Sequence, residues 1–356
     1  MIYGHGDDRW RYGHISADFS SNVYYGADNS ALLDYLRGHF DDLLHYPEPA
    51  PHTLEARLEE AYGLAPGTVC VSGGATEAIY LIAQAFAGSR SAIFQPAFSE
   101  YSDACHQHGH FVKHIFAQAD LFSGDGIISE AQIPDGTQMC WICNPCNPTG
   151  HIYANELVER LIASHPGCIF VMDQSYAAFT RYPLPSPAEL AAHPNLLVLH
   201  SLTKSHAVPG LRLGWITGSA RLLERVRSCR MPWSVNALAV AAGMFFAEEI
   251  GSSSQTRGRL SGLDGLLEEC RRLRESIASL EGLRVAPTHT HFFLCRTENS
   301  TAAELKDYLA REQGVLIRDA SNFPGLDEGC FRIATQKPEF NKILLSGLNS
   351  FISTNK

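Results

Sequence analysis

The chain lacks any apolar run near the roughly 20 residues that cross a bilayer, so no membrane span is expected anywhere in its 356 residues. It also lacks an excess of positive charge. Its 28 Lys+Arg face 38 Asp+Glu, a net charge of −10, and no basic stripe is present, which argues against a nucleic-acid partner. The start, MIYGHGDDRWRYGH, has none of the apolar core of a secretory signal, so a cytoplasmic protein is expected. The ten cysteines do not form a disulfide framework: Cys70, Cys140, Cys143, Cys168 and Cys295 lie in or beside apolar segments, as reduced core thiols do. Cys143 and Cys146 make one C-x-x-C, but without a second ligand pair or a thioredoxin-like setting no metal site is expected. There is no internal repeat and no low-complexity segment. The sixteen histidines are scattered.

What is present is a well-packed composition, 45% hydrophobic and 19% charged, over a length that suggests about two domains. Short apolar runs alternate with helix-length stretches between about residues 68 and 235: TVCVS (68–72), SAIFQP (91–96), FVKHIFA (111–117), MCWIC (139–143), CIFVMD (168–173), NLLVLHS (195–201) and LRLGWITG (211–218). Continuous apolar strands separated by helices predict a mainly parallel sheet of seven strands, flanked by helices, in an α/β fold. The later elements come in shorter mixed units and predict a smaller α+β domain. The expected division is an N-terminal segment, 1–40, packing with the small domain, a large domain over 41–250, and the small domain over 251–356.

Chemistry concentrates at the ends of these runs. In SLTKSHAVPGLRLG, Lys204 follows an apolar strand and hydroxyl residues, and Arg212 stands eight positions later behind a Pro-Gly turn. A lysine that must react with an aldehyde needs shelter and nearby positive charge to be neutral at working pH. Ser201, Thr203 and Arg212 could together hold a phosphate dianion. Gly73, Gly74, Ala75 and Thr76 follow a strand and open a helix, where free backbone N–H groups suit an anion. Asp173 ends a strand, and Asn147 sits in NPCNPTG, 26 residues before it. Alone, each reads as a turn residue or a surface lysine.

Together, and in this order, they resemble the fold-type-I aminotransferases, a class I/II superfamily whose cofactor is pyridoxal 5'-phosphate. The resemblance implies that Lys204 holds the cofactor as a Schiff base. It implies that Asp173 pairs with the pyridine nitrogen and keeps it protonated, making the ring an electron sink. Asn147 and Tyr176 would bond the phenolic oxygen, although the segment reads DQSY where the family has DEAY or DEAF. Gly74, Ala75, Thr76, Ser201, Thr203 and Arg212 would cradle the phosphate, and Tyr101 would stack on the ring. Tyr46, in HYPEP, resembles a tyrosine that reaches across a dimer interface, which implies a homodimer. Arg332, in CFRIA, resembles the arginine that grips the substrate α-carboxylate, for which its fork is suited.

Three further segments, His5-Gly6, MPWSVNALA (231–239) and IRDASNFPGL (317–326), resemble the L-threonine-O-3-phosphate decarboxylases of cobalamin biosynthesis and, next to them, the histidinol-phosphate aminotransferases. That likeness implies a phosphorylated amino acid or amine as substrate, with His5, Asn22 and Arg318 among its contacts. The family's H-G-G is H-G-D here, and its N-x-N-P-x-G is reduced to Asn22-Val-Tyr-Tyr-Gly26. Decarboxylation and transamination differ in which bond at Cα is held perpendicular to the ring, so residue types leave both open. A cofactor-binding sensor is a third reading. Against it stand the complete set Lys204, Asp173, Asn147 and Arg212, and sheet motifs that begin near residue 68, leaving little room for a DNA-binding domain.

Overall fold

The structure, a computed structural model, describes residues 6–116, 120–123, 133–252 and 260–354. All seven expected apolar runs form strands of one sheet: β1 Val69–Ser72, β2 Arg90–Gln95, β3 Phe111–Phe116, β4 Met139–Cys143, β5 Ile169–Asp173, β6 Leu196–Ser201 and β7 Gly214–Gly218. Their order is β1-β7-β6-β5-β4-β2-β3. Every residue of β1, β4 and β7 is buried, because helices cover both faces, and this is why these strands read as unbroken apolar runs. One face is sealed by the cluster around Ile79, Ile82, Trp141 and Ile216. Phe94, Tyr153, Phe170 and Leu196 seal another.

Strand β7 runs antiparallel to both neighbours, and the other six are parallel to one another. The cause is local. Residues 202–213 join β6 to β7 through a short 3-10 turn at Pro209–Leu211, with no crossover helix, so the chain can only turn back on itself. The turn leaves Lys204 just beyond the C-terminal end of β6. The C-terminal ends of β1, β2, β4, β5 and β6 share that edge, the usual ligand edge of a parallel sheet.

The later elements form a four-stranded antiparallel sheet of β8 Leu283–Val285, β9 Phe292–Thr297, β10 Arg318–Asp319 and β11 Cys330–Ala334, in the order β10-β11-β9-β8. Helices Leu263–Ala278, Ala302–Gln313 and Pro338–Thr354 pack on it around Leu273, Phe293, Leu305, Phe331 and Leu344. The Ala302–Gln313 helix starts at a reciprocal Thr301–Glu304 cap and stops at Gly314, whose φ of 62° suits a left-handed end. Residues 6–40 divide between the two cores. Ala17–Asp18 pairs with Val315–Leu316 beside the small sheet, whereas Leu32 and Leu36, on the helix Ser30–Arg37, pack with Leu54, Val71 and Trp215 on the large one.

One buried ion pair fastens the helix His52–Tyr62 to the sheet. Glu55 is 4% exposed, accepts the Val71 N–H at 3.0 Å, and pairs with the equally buried Arg230. Replacing Glu55 with Ala would strand that guanidinium in the interior, so E55A should lose about 3–5 kcal/mol of stability. Urea unfolding would read this as a lower midpoint at an unchanged slope.

Candidate active site

A cavity of about 250 Å³ lies between the C-terminal edge of the large sheet and the small sheet. Among its lining residues are Ala75, Thr76, Tyr101, Asn147, Asp173, Tyr176, Ser201, Thr203, Lys204, Arg212, Arg318 and Arg332. Twelve side chains singled out from the sequence thus meet in one place, from positions 75 to 332.

At one end, Ala75 and Thr76 begin the helix Ala75–Ala85 beside Ser201, Thr203 and Arg212. Gly74, with φ of 94°, lies just outside the lining, and its backbone is pressed against the Arg212 guanidinium: a Cβ there would lie 2.6 Å from Nη2. Free helix N–H groups, two hydroxyls and a guanidinium are a donor set for a phosphate dianion.

At the other end stands Asp173. Its Oδ2 accepts the Tyr101 hydroxyl at 2.6 Å and its Oδ1 the Ser175 N–H at 2.8 Å. Tyr101 is fully buried, with its ring parallel to Trp141 at 5.4 Å. Burial, followed by the charge of Asp173, pushes its phenol well up, so it stays a donor.

Between the ends, Asn147 is held by the folding of its own motif. The Asn144 side chain pairs with both backbone groups of Tyr153, at 3.1 and 3.2 Å. Gly150, with φ of 70°, sits where a Cβ would lie 1.8 Å from Thr288 Oγ1. Asn144 and Gly150 therefore shape the loop, and Asn147 Oδ1 accepts from Arg332 Nη1. Tyr176 OH accepts from Asn22 Nδ2 at 3.1 Å; Asn22 is behind the lining, not in it. Burial raises the Tyr176 phenol to about 12. Burial lowers Lys204 to about 8, with Arg332 and Arg212 pushing the same way and Asp7 and Asp18 opposing. Its amine can therefore both hold and release a proton near neutrality.

Arg318 and Arg332 face each other directly across β10 and β11. Each is 5% exposed, and among the described residues neither has a carboxylate within ion-pair distance. Arg318 Nη2 donates to Asn322 Oδ1 at 2.8 Å. Arg332 donates to Asn147 and to the Ser20 carbonyl, leaving its Nε buried without a partner. Burial holds both guanidinia down at about 10.

His5 lies outside the described residues. Tyr46 does not line this cavity; it is 84% exposed, with its ring 5.3 Å from that of Trp233. The sequence had not pointed to Asp7, Ser20, Ser21, Ser175, Cys143 or Phe323, which also line the cavity. Ser20 acts through its backbone carbonyl, which no side-chain pattern signals. Asp7 did have a signal, as the departure from H-G-G. Among the described residues no three His, Cys, Asp or Glu side chains cluster as metal ligands, and no helix is long and apolar enough to cross a membrane.

An anion cup, a carboxylate at the far end, hydrogen-bonding groups between them and a lysine of lowered basicity match, in order, the phosphate, ring nitrogen, phenolic oxygen and aldehyde of pyridoxal 5'-phosphate. The family pattern "Aminotransferase class I and II" matches residues 15–348; the chain belongs to that family, is an enzyme, and uses pyridoxal 5'-phosphate. It is 28% identical to the threonine-phosphate decarboxylase of Salmonella typhimurium over 340 residues, 94% of this chain and 91% of that one. The crystal structure of L-threonine-O-3-phosphate decarboxylase from Porphyromonas gingivalis is 36% identical, with a TM-score of 0.86 over 94% of this chain and 99% of that one. Histidinol-phosphate aminotransferase from Sinorhizobium meliloti, solved in complex with pyridoxal-5'-phosphate, shares the fold at 18% identity, with a TM-score of 0.75 over 96% and 92% of the two chains.

The close contact at Gly74 makes a direct test of the anion cup. In Gly74→Ala the new methyl group would meet the Arg212 guanidinium in a backbone conformation that L-residues avoid. The variant should bind pyridoxal 5'-phosphate at least about tenfold more weakly, measured by titration of cofactor absorbance, and an unchanged Kd would contradict this geometry.

Proposed function

We propose that this enzyme decarboxylates a phosphorylated α-amino acid, with L-threonine O-3-phosphate as substrate, as a cytoplasmic step of cobalamin biosynthesis. The observation that carries the reading is the buried Arg318–Arg332 pair. Like charges directly opposite on adjacent strands oppose folding, and among the described residues no carboxylate makes an ion pair with either; Asp8, Asp18 and Asp319 act on them only from a distance. A ligand with two anionic groups offsets them directly.

In this reading Lys204 carries the cofactor covalently. Ser201, Thr203, Arg212, Gly74, Ala75 and Thr76 hold its phosphate, Asp173 its ring nitrogen, Asn147 and Tyr176 its phenolic oxygen, and Tyr101 lies against the ring. When bound, the protonated ring supplies a sink for the electron pair left at Cα. Arg332 grips the substrate carboxylate, and Arg318, with His5, the substrate phosphate. Asn22 acts one step back, orienting the Tyr176 hydroxyl through its hydrogen bond.

Anchors on two neighbouring strands hold a substrate at both ends, and that sets the rotation about its N–Cα bond. Rotation decides whether the bond to the carboxylate or the bond to hydrogen is aligned for cleavage, and small displacements change such rates greatly. Lys204 Nζ, at about 8, is matched to proton transfer near neutral pH.

The deciding assay supplies purified enzyme and pyridoxal 5'-phosphate with threonine phosphate or histidinol phosphate, with and without 2-oxoglutarate. CO₂ release from threonine phosphate without a keto acid is the expected result, and it should vanish in Lys204→Ala along with the visible absorbance of the lysine-bound cofactor. Turnover that requires 2-oxoglutarate and releases no CO₂ would make the enzyme an aminotransferase instead.

We also propose that the enzyme acts as a homodimer. Phe40, Leu43, Leu44 and Tyr46, together with Met231 and Trp233, expose 50% or more of their surface. Apolar groups gathered at this density mark an interaction face, and Tyr46 lies within it. Sedimentation at twice the chain mass of 39.1 kDa is expected; a monomer that is fully active at assay concentrations would rule the dimer out.

A further inference from the structure

We propose that Asp7 is a positioning residue for Lys204: its carboxylate keeps the lysine amine protonated on the substrate side of the cavity, so that Lys204 gives a proton to Cα more readily than it takes one. The proposal rests on the decarboxylase reading for its consequence, but not for its electrostatics.

Asp7 and Asp173 are the two carboxylates that line the cavity among the described residues. Asp173 is engaged by Tyr101 and Ser175 at the far end. Asp7 arrives from the N-terminal segment with its backbone tied down, while its side chain is 58% exposed. Its φ is 61°, a left-handed value unusual for a residue other than glycine. Its N–H donates to Ser20 Oγ at 2.7 Å, and that hydroxyl donates to Asp18 Oδ1 at 2.6 Å. The neighbouring Gly6 lies so close that a Cβ would stand 2.4 Å from the Ser20 carbonyl oxygen. Arg9 Nε bridges Asp7 Oδ1 and Asp18 Oδ2, at 3.2 Å from each. The Ser20 carbonyl in turn accepts from Arg332, so the segment bearing Asp7 is tied to the substrate anchor. Backbone strain held in place from several sides is characteristic of functional positions.

The surroundings of Lys204 give this carboxylate something to do. Arg212 faces it from its own loop, Arg332 from β11, and Arg318 lines the same cavity from β10. His291, before β9, is held neutral by burial. Asp18 opposes the cations from behind Asp7, and Asp173 lies at the far end of the cavity. The charge of Asp7 raises the basicity of Lys204, and that of Lys204 lowers the pKa of Asp7, whose carboxyl is otherwise pushed up by burial and by Asp18.

The two reactions open to this family make opposite demands. In decarboxylation the bond between Cα and the carboxylate carbon breaks, CO₂ leaves, the electron pair stays at Cα, and one proton must be delivered there. In amino transfer the Cα–H bond breaks and a base must accept that proton. An ammonium at position 204 meets the first demand, a neutral amine the second.

The test is a pH titration of the visible absorbance of the bound cofactor, which reads the charge at Lys204 Nζ while that nitrogen is joined to the cofactor and so reports the field that Asp7 sets there, in wild type, Asp7→Asn, Asp7→Glu and Arg9→Gln. D7N should lower the midpoint by roughly half a pH unit, D7E should restore it, and R9Q, which removes a cation, should not lower it. With threonine phosphate, D7N should also raise severalfold the fraction of turnovers that end in keto acid rather than CO₂. A midpoint in D7N equal to wild type, or an equal fall in R9Q, would overturn the proposal. Either midpoint result stands whichever reaction the wild type runs, so a failed decarboxylase assay and a failed role for Asp7 are told apart.

Discussion

Positive charge gathered around one cavity is the constraint that organises this protein. Among the described residues, Lys204, Arg212, Arg318 and Arg332 line a space of about 250 Å³ against two carboxylates. Holding a guanidinium such as Arg332 down at about 10 costs the folded chain roughly 3 kcal/mol, from a pKa change of this size. Such a cost persists where anions offset it, and in the proposed reading these are a cofactor phosphate at Arg212 and two acidic groups of a substrate at the arginine pair. The same crowding keeps the lysine reactive, because each neighbouring cation favours its neutral amine.

The fold meets this constraint by division of labour. A parallel sheet brings strand ends to one edge, and those ends and the loops after them supply small or hydrogen-bonding residues: Gly74, Asn147, Asp173, Ser201. The one reversal in the sheet, at β7, shortens the β6–β7 connection and keeps Lys204 at that edge. The arginine pair comes from elsewhere, on adjacent strands of an antiparallel sheet whose register fixes the spacing of the two guanidinia. A strand pair is a stiffer mount than two loops, and so a better ruler for the separation between two acidic groups.

The sheet and the centre of the site were legible in the sequence for a physical reason. Strands covered on both faces must be apolar throughout, so MCWIC and CIFVMD announce themselves. Residues that end or follow such strands, Asp173, Asn147 and Lys204, lie near the ligand edge almost by construction. What was not legible depends on contacts between distant parts of the chain. The bond from Asn22 to Tyr176 joins residues 154 positions apart, and Arg332 is held by a backbone carbonyl, Ser20, that has no side-chain signature. The helix Ser30–Arg37 shows the same limit. Its Leu32 and Leu36 mark an apolar stripe, but a stripe does not say which core it will face, and here it faces the large sheet.

In the proposed reading, Arg332 also links the chemistry to the substrate. One side of its guanidinium holds Asn147, which stands among the cofactor-facing groups, and the other holds Ser20, which carries the N-terminal segment and Asp7. A substrate carboxylate arriving at Arg332 must share or displace these partners, and the buried Nε without a partner offers a further donor. Binding at this one arginine is therefore felt on both sides of the cavity at once. Recognition of the acid group and placement of the proton-transfer machinery become parts of one hydrogen-bonded unit, and a ligand lacking that acid group would leave the unit as it stands.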